Sequence, residues 1–171
     1  RRGPQPLGTI EHRPLAIREA IPHFQRGAGL LDTRSKAEYV QAHVPGSVHL
    51  EADSQLSNRI GFVFPPDAPV ILLLADSSEY EQVVYSLARV GYDNVLGYLA
   101  EGLDVWERMD LPITAGDIKD VEPVELHGIL QTCTNGDCPT VVDVREPWEF
   151  RQGHVPGAML IPLGQLASRI G

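Results

Sequence analysis

Apolar positions in this chain fall into two kinds of segment. "VILLLA" (Val70–Ala75) is hydrophobic without interruption, as a strand covered on both faces of a parallel sheet requires. Leu30–Thr33 and "NVLGYL" read in the same way. Elsewhere the spacing is helical. Glu79–Val90 places Val83, Val84, Leu87 and Val90 on one face, and Gly91 follows to end the helix. A helix is expected from Pro14 to about Phe24, because proline suits a first turn, and "RGAG" stops it. Ser35-x-x-Glu38 is a capping box that opens a short helix. In "HVPGSVHL", Pro-Gly fits the centre of a tight turn that leads into a strand. Thr9–Glu11 reads as an opening strand and Leu103–Arg108 as a closing helix. Strands alternate with helices, which predicts an α/β fold with an open, mainly parallel sheet flanked by helices.

The pattern also repeats. "LLDTRSKAEYVQAHVPGSVHL" (Leu30–Leu50) returns, 111 residues later and without a gap, as "VVDVREPWEFRQGHVPGAMLI" (Val141–Ile161). Asp32 falls on Asp143, Arg34 on Arg145 and Glu38 on Glu149. The run His43-Val44-Pro45-Gly46 falls on His154-Val155-Pro156-Gly157. "LSNRIG" (Leu56–Gly61) then falls on "LASRIG" (Leu166–Gly171) with a shift of 110. Two blocks with matching spacing predict a linker over 1–8, one complete domain over 9–113 and the first half of a second over 114–171. In the second repeat, Ile113–Pro123 is expected to serve as linker and first strand, Pro123–Thr132 as the matching helix and Val141–Val144 as the matching strand. "RRGPQPLG", with no initiator Met, opens like an excised fragment or a processed chain.

Charge narrows the partners. A net charge of −9 and a pI near 5.0 argue against nucleic acid and against an anionic membrane surface. The longest apolar run, Val70–Ala75, is far too short to span a bilayer. Two cysteines are no disulfide framework, so a cytoplasmic location is expected. Cys133 and Cys138 read as two free thiols on a surface loop before the Val141 strand, with a local disulfide or a redox role as the alternative. A Cys-x4-Cys pair falls short of the four ligands of structural zinc. The six histidines form no His-x-His-x-Asp-His set, so neither a metal nor another cofactor is expected.

The doubled element resembles the rhodanese homology signature: a hydrophobic strand, Asp-x-Arg, an acidic-aromatic helix, then His-Val-Pro-Gly. "VGYDNVLGYLAEGLDVW" is similar to the closing segment of that family. The resemblance implies sulfur transfer through a Cys persulfide, with the Cys at the end of the central strand. A six-residue loop and the following helix N-terminus would cradle the anion. In that frame Asp32, Arg34, Glu38, His43, Pro45 and Gly46, with Asp143, Arg145, Glu149, His154, Pro156 and Gly157, are structural signature residues. Each Asp-Arg pair is expected to make charge-assisted hydrogen bonds, and Arg34–Glu38 and Arg145–Glu149 to form i, i+4 pairs. His43 and His154 are expected to satisfy backbone carbonyls.

The first repeat departs from the family at the decisive place. Leu74 or Ala75 stands where the nucleophile belongs, and the loop Ala75, Asp76, Ser77, Ser78, Glu79, Tyr80 holds no Cys. Asp76 and Glu79 would repel an anion at a helix N-terminus. The expectation is a catalytically inactive module with a binding, regulatory or scaffold role in a larger sulfur-handling protein. The alternative is an active sulfurtransferase whose Cys lies in the second domain, beyond residue 171. A Cys-x5-Arg phosphatase of related fold is disfavoured by the missing Cys. The Pro-rich opening resembles the junction of fusions in which a metallo-β-lactamase-fold domain precedes rhodanese domains, so that domain, or a small sulfur carrier, is the expected partner.

Overall fold

The computed structural model describes residues 10–116, 118–134 and 138–169. The tether expected over residues 1–8 lies outside them. Contacts divide the chain into two compact units, Arg1–Ile118 and Lys119–Gly171, whereas the sequence pattern places the boundary after residue 113.

Unit 1 is built on a five-stranded, wholly parallel sheet in the order β1-β5-β4-β2-β3. Its strands are β1 (Pro14–Leu15), β2 (Gly29–Asp32), β3 (Val48–His49), β4 (Val70–Leu73) and β5 (Val95–Leu99). Its helices are α1 (Ile17–Gln25), α2 (Lys36–Gln41), α3 (Leu56–Arg59), α4 (Tyr80–Ala88) and α5 (Asp104–Arg108). The unbroken apolar run of β4 has its reason here. Val70, Leu72 and Leu74 pack with Leu56, Ile60, Val83 and Leu87 in one cluster. Ile71 and Leu73 pack with Ile17, Ala20 and Trp106 in the other. Successive side chains of a strand point to opposite faces, and both faces of this sheet are covered.

The N-terminal segment differs from expectation. Ile10 and Glu11 are not in a strand, and Pro14 does not begin a helix. Pro14–Leu15 is instead the edge strand, paired with Tyr98–Leu99. The Tyr98 and Ala100 N–H groups donate to the carbonyls of Arg13 and Leu15, so the N–H that proline lacks is not needed at this edge. The helix starts later because the Glu19 carboxylate accepts the Ala16 N–H at 2.9 Å and fixes Ala16 as its N-cap. Helix α4 buries Tyr80, Val83, Leu87 and Ala88 and ends before Val90, which is 43% exposed.

Unit 2 consists of α6 (Pro123–Thr132), β6 (Val142–Asp143), α7 (Pro147–Gln152), β7 (Met159–Leu160) and α8 (Leu163–Arg169), with β6 and β7 parallel. No strand forms in the described residues of Ile113–Pro123. Thr114 instead makes a single antiparallel bridge to His43.

Candidate functional site

The first signature block organises β2, α2 and β3. Asp32, fully buried at the end of β2, accepts the Arg34 backbone N–H at 3.1 Å and the guanidinium through Nε and Nη2 at 2.9 and 2.6 Å. Arg34 Nη2 also donates to the Ala42 carbonyl at 2.8 Å, tying the end of β2 to the end of α2. The i, i+4 reading of Glu38 is replaced by capping. The Glu38 carboxylate accepts from the Ser35 N–H and hydroxyl, while its own N–H donates to Ser35 Oγ. Those Ser35 contacts hold its pKa below the ordinary value, the hydroxyl most strongly, with the Arg34 charge a smaller influence. His43 is buried and donates from Nδ1 to the Tyr39 carbonyl at 2.9 Å. Tyr39 stacks between His43 and His49, and His49 Nε2 donates to the Arg34 carbonyl. Pro45 and Gly46 occupy the centre of a turn closed by the Ser47 N–H and the Val44 carbonyl.

Unit 2 repeats this geometry almost bond for bond. Asp143 accepts from the Arg145 N–H, Nε and Nη2, and Nη2 donates to the Gly153 carbonyl at 2.8 Å. These Arg145 contacts, its side chain first, hold the Asp143 pKa below the ordinary carboxylate value and raise that of Arg145. Glu149 accepts the Glu146 N–H, so it too caps its helix. His154 donates from Nδ1 to the Phe150 carbonyl at 2.8 Å and stacks on the Phe150 ring. Pro156 and Gly157 lie in a turn closed by the Ala158 N–H and the Val155 carbonyl.

The carboxyl ends of β2, β4 and β5 surround a cleft of about 400 Å³, the place where open α/β sheets bind ligands. Its lining includes Arg34, Glu38, Leu74, Ala75, Asp76, Glu101 and Asp104. Strand β4 ends at Leu73, whose carbonyl accepts both the backbone N–H and the hydroxyl of Thr33. Leu74 then turns into the core, 7% exposed, and Ala75 faces solvent. Asp76 is the N-cap of the single 3-10 turn Ser77–Glu79 that leads into α4, and its carboxylate accepts the Ser78 N–H at 2.8 Å. Bonds from Ser78, the side chain before the backbone, keep the Asp76 pKa low. Glu79 Oε2 is buried with no hydrogen-bond partner among the described residues. Tyr80 is buried in the core.

A carboxylate of the chain itself therefore occupies the N–H that a loop of this kind would offer to an anion. Four acidic side chains line the cleft, and its one lining arginine is already committed to Asp32. Sequence reading missed Glu101 and Asp104. The signal for them was "YLAEGLD", acidic residues directly after a predicted strand, at the ligand-binding end of the sheet.

Cys133 and Cys138 are not free thiols; they form a disulfide. Among the described residues no group of three or more His, Cys, Asp or Glu side chains is arranged to hold a metal ion. No helix of the described residues is long and apolar enough to cross a membrane.

Comparison with known proteins agrees with this architecture. The rhodanese-like domain family pattern matches residues 18–109 and 123–170. An uncharacterised protein of Buchnera aphidicola subsp. Schizaphis graminum is 27% identical over 90 residues, and the chain spans only 60% of that relative's length. Among solved structures, the rhodanese-like domain of an Anabaena sp. protein is 18% identical with a TM-score of 0.51, covering 64% of this chain and 89% of that one. A thiosulfate sulfurtransferase of Pseudomonas aeruginosa is 22% identical with a TM-score of 0.51, covering 93% of this chain and 35% of that one. On its doubled signature, its parallel sheet and the extent of the family match, the chain belongs to the rhodanese-like domain family.

Proposed function

We propose that unit 1 is a catalytically inactive rhodanese-like domain that serves as a binding or scaffold module in a larger, cytoplasmic sulfur-handling protein. One observation carries this reading. At the end of β4 an aliphatic residue, Leu74, replaces the nucleophile, and Asp76 fills the adjoining anion position with its own carboxylate. Thiosulfate would have to enter a cleft lined by the exposed carboxylates of Glu38, Asp76, Glu101 and Asp104, against like charge. The working partner is an upstream metallo-β-lactamase-fold domain or a small sulfur carrier. Its support is the Pro-rich opening of the sequence.

A second reading places sulfur transfer in the whole protein, on a Cys in the second repeat outside residues 1–171. It is favoured by the recurrence of the Asp143–Arg145 arrangement in unit 2. A fold shared over 93% of this chain with the much longer thiosulfate sulfurtransferase also supports it.

Thiosulfate:cyanide turnover of the chain separates the readings. The expected rate does not exceed the no-enzyme control. Turnover that persists in both Cys133→Ser and Cys138→Ser would overturn the inactive assignment of unit 1. The second reading predicts that a longer chain with its second repeat completed is active, and that Leu74→Ser leaves that activity unchanged.

A further inference from the structure

Helices α2 and α5 both send their first residues to the cleft. Arg34 and Glu38 line it from the start of α2, and Leu103 and Asp104 from the start of α5. The far ends of the two helices are joined as well. Beyond α5 the chain runs from Leu111 to Gly116 back to the end of α2. Leu111 and Ile113 pack on the cluster that holds Val44 and Trp106, while Pro112 and Ala115 are exposed. The Leu111 N–H donates to the Trp106 carbonyl, and Trp106 Nε1–H donates to the Pro112 carbonyl at 3.0 Å. Thr114 and His43 then exchange backbone bonds, N–H to carbonyl in each direction, at 2.9 Å. The Gly116 N–H donates to the Val40 carbonyl at 3.1 Å. A connection that served only as a tether would leave these groups to water.

The seat of this segment reaches the cleft through one further bond. His43 follows Ala42, whose carbonyl accepts Arg34 Nη2 at 2.8 Å. The rest of the guanidinium is held by Asp32 at the end of β2. Thr114, His43, Ala42 and Arg34 thus form an unbroken run of covalent and hydrogen bonds from the connecting segment to the arginine of the cleft. Continuity by itself carries no coupling, which requires an element with two states that both ends feel.

We propose that Leu111–Gly116 is a strap with a seated and an unseated state, which couples the chain leading to unit 2 to the cleft of unit 1. Seated, it ties the end of α5 to the end of α2 and holds Ala42 as the acceptor of Arg34. Unseated, it returns the backbone groups of His43 and Val40 to water. Ala42 then loses its fixed neighbour, and the guanidinium keeps only Asp32. The cost of this opening is below that of unfolding the sheet, because Thr114 is half-buried and Gly116 exposed whereas β4 is buried throughout. A rearrangement in the chain beyond Gly116 is thereby felt at Arg34. The device acts whether or not a nucleophile lies in the second repeat, so it is independent of either reading of function.

The test follows single N–H protons of the whole chain by NMR. In native-state hydrogen exchange at low denaturant, the amides of His43, Thr114 and Gly116 are expected to open as one unit, below global unfolding. The side-chain N–H protons of Arg34 should open with them, and the amides of β4 only when the domain unfolds. Thr114→Pro removes one donor and puts a ring at the bridge. In that variant the His43 and Gly116 amides should exchange at least about tenfold faster, the factor that two hydrogen bonds of ordinary net worth supply. The Arg34 side-chain signals and the amides of Gly102 and Asp104 should shift. Thr114→Ala keeps every backbone bond and should match the wild type. Exchange in the wild-type chain needs no variant, so it decides even if Thr114→Pro does not fold. Opening of Arg34 only together with β4 would overturn the proposal, as would His43 and Thr114 amides that exchange like those of an unstructured chain. So would a Thr114→Pro chain with a frayed segment and unmoved Arg34 and Asp104 signals, or a Thr114→Ala chain that behaves like it.

Discussion

Replacing Asp32 by alanine should destabilise unit 1 far more than the equivalent Asp143→Ala affects unit 2, although the two aspartates make the same bonds. Asp32 has a fully buried side chain, and that of its partner Arg34 is 10% exposed. Loss of the carboxylate leaves a guanidinium in the interior with only the Ala42 carbonyl among the acceptors named above. Removing one partner of a buried ion pair costs about 3–5 kcal/mol, a large part of the roughly 5–15 kcal/mol that holds a domain folded. With a urea m-value near 2 kcal/mol/M the midpoint should fall by about 2 M. The chain carries two tryptophans, Trp106 in unit 1 and Trp148 in unit 2. Unfolding of a Trp148→Phe background therefore reports on unit 1 alone. In unit 2 the Arg145 side chain is 45% exposed, and water replaces what Asp143→Ala removes, so the midpoint of unit 2 should hardly move. The pair Asp32→Ala/Arg34→Met should recover part of the loss by removing the stranded charge. A midpoint change below about 0.5 M for Asp32→Ala, or a double variant weaker than the single one, would refute the reasoning.

Other positions give equally direct expectations. Gly97 has φ near 150°, and a Cβ there would stand 2.3 Å from the Arg13 carbonyl oxygen. Gly97→Ala should therefore cost about 2 kcal/mol or more by pushing β1 off β5, seen as a lowered Tm. Trp106 is 8% exposed, packs edge-on against Phe24 and donates Nε1–H to the Pro112 carbonyl. Trp106→Ala should cost roughly 3–5 kcal/mol in the same assay. The Glu38 carboxyl is held below its ordinary value of 4.5 by Ser35. A depressed folded pKa means that its contribution is complete above the unfolded value and fades as the pH falls through the folded one. Carboxyl-detected NMR titration should place Glu38 below 4.5, and Ser35→Ala should move it back up while removing about 1 kcal/mol of capping.

The parts of the fold legible in the sequence are those whose determinants are local. Ser35-x-x-Glu38 closes its own capping box, Pro45-Gly46 its own turn, and Asp-x-Arg its own ion pair, all within a few residues. The parity of β4 was legible because an unbroken apolar run needs two covered faces. Pro14 was not, because proline suits both a first helical turn and an edge strand. The choice between them is made by Tyr98 and Ala100, which are remote in sequence. The disulfide was legible only as the alternative to two free thiols, because a single 111-residue shift conceals the longer connection between α6 and β6. That shift sets Cys133 against Pro22 and Cys138 against Gly27, whereas the helix caps show that both flank one insertion.

The geometry also separates the residues that hold the shape from the loop at the end of β4. The signature bonds from Asp32, Arg34, Glu38 and His43 are all made within β2, α2 and the approach to β3. The loop that would hold a nucleophile hangs from a different strand, β4. The Leu73 carbonyl is anchored by Thr33, whatever residue comes next. At position 74 a buried leucine adds apolar packing to the Leu31–Leu72–Tyr80 cluster, and at position 76 an aspartate supplies the helix cap that a bound anion would otherwise supply. Both side chains stabilise the fold. The pair Leu74→Cys/Asp76→Gly, which removes both contributions, should therefore lower the stability of unit 1 in the same unfolding assay.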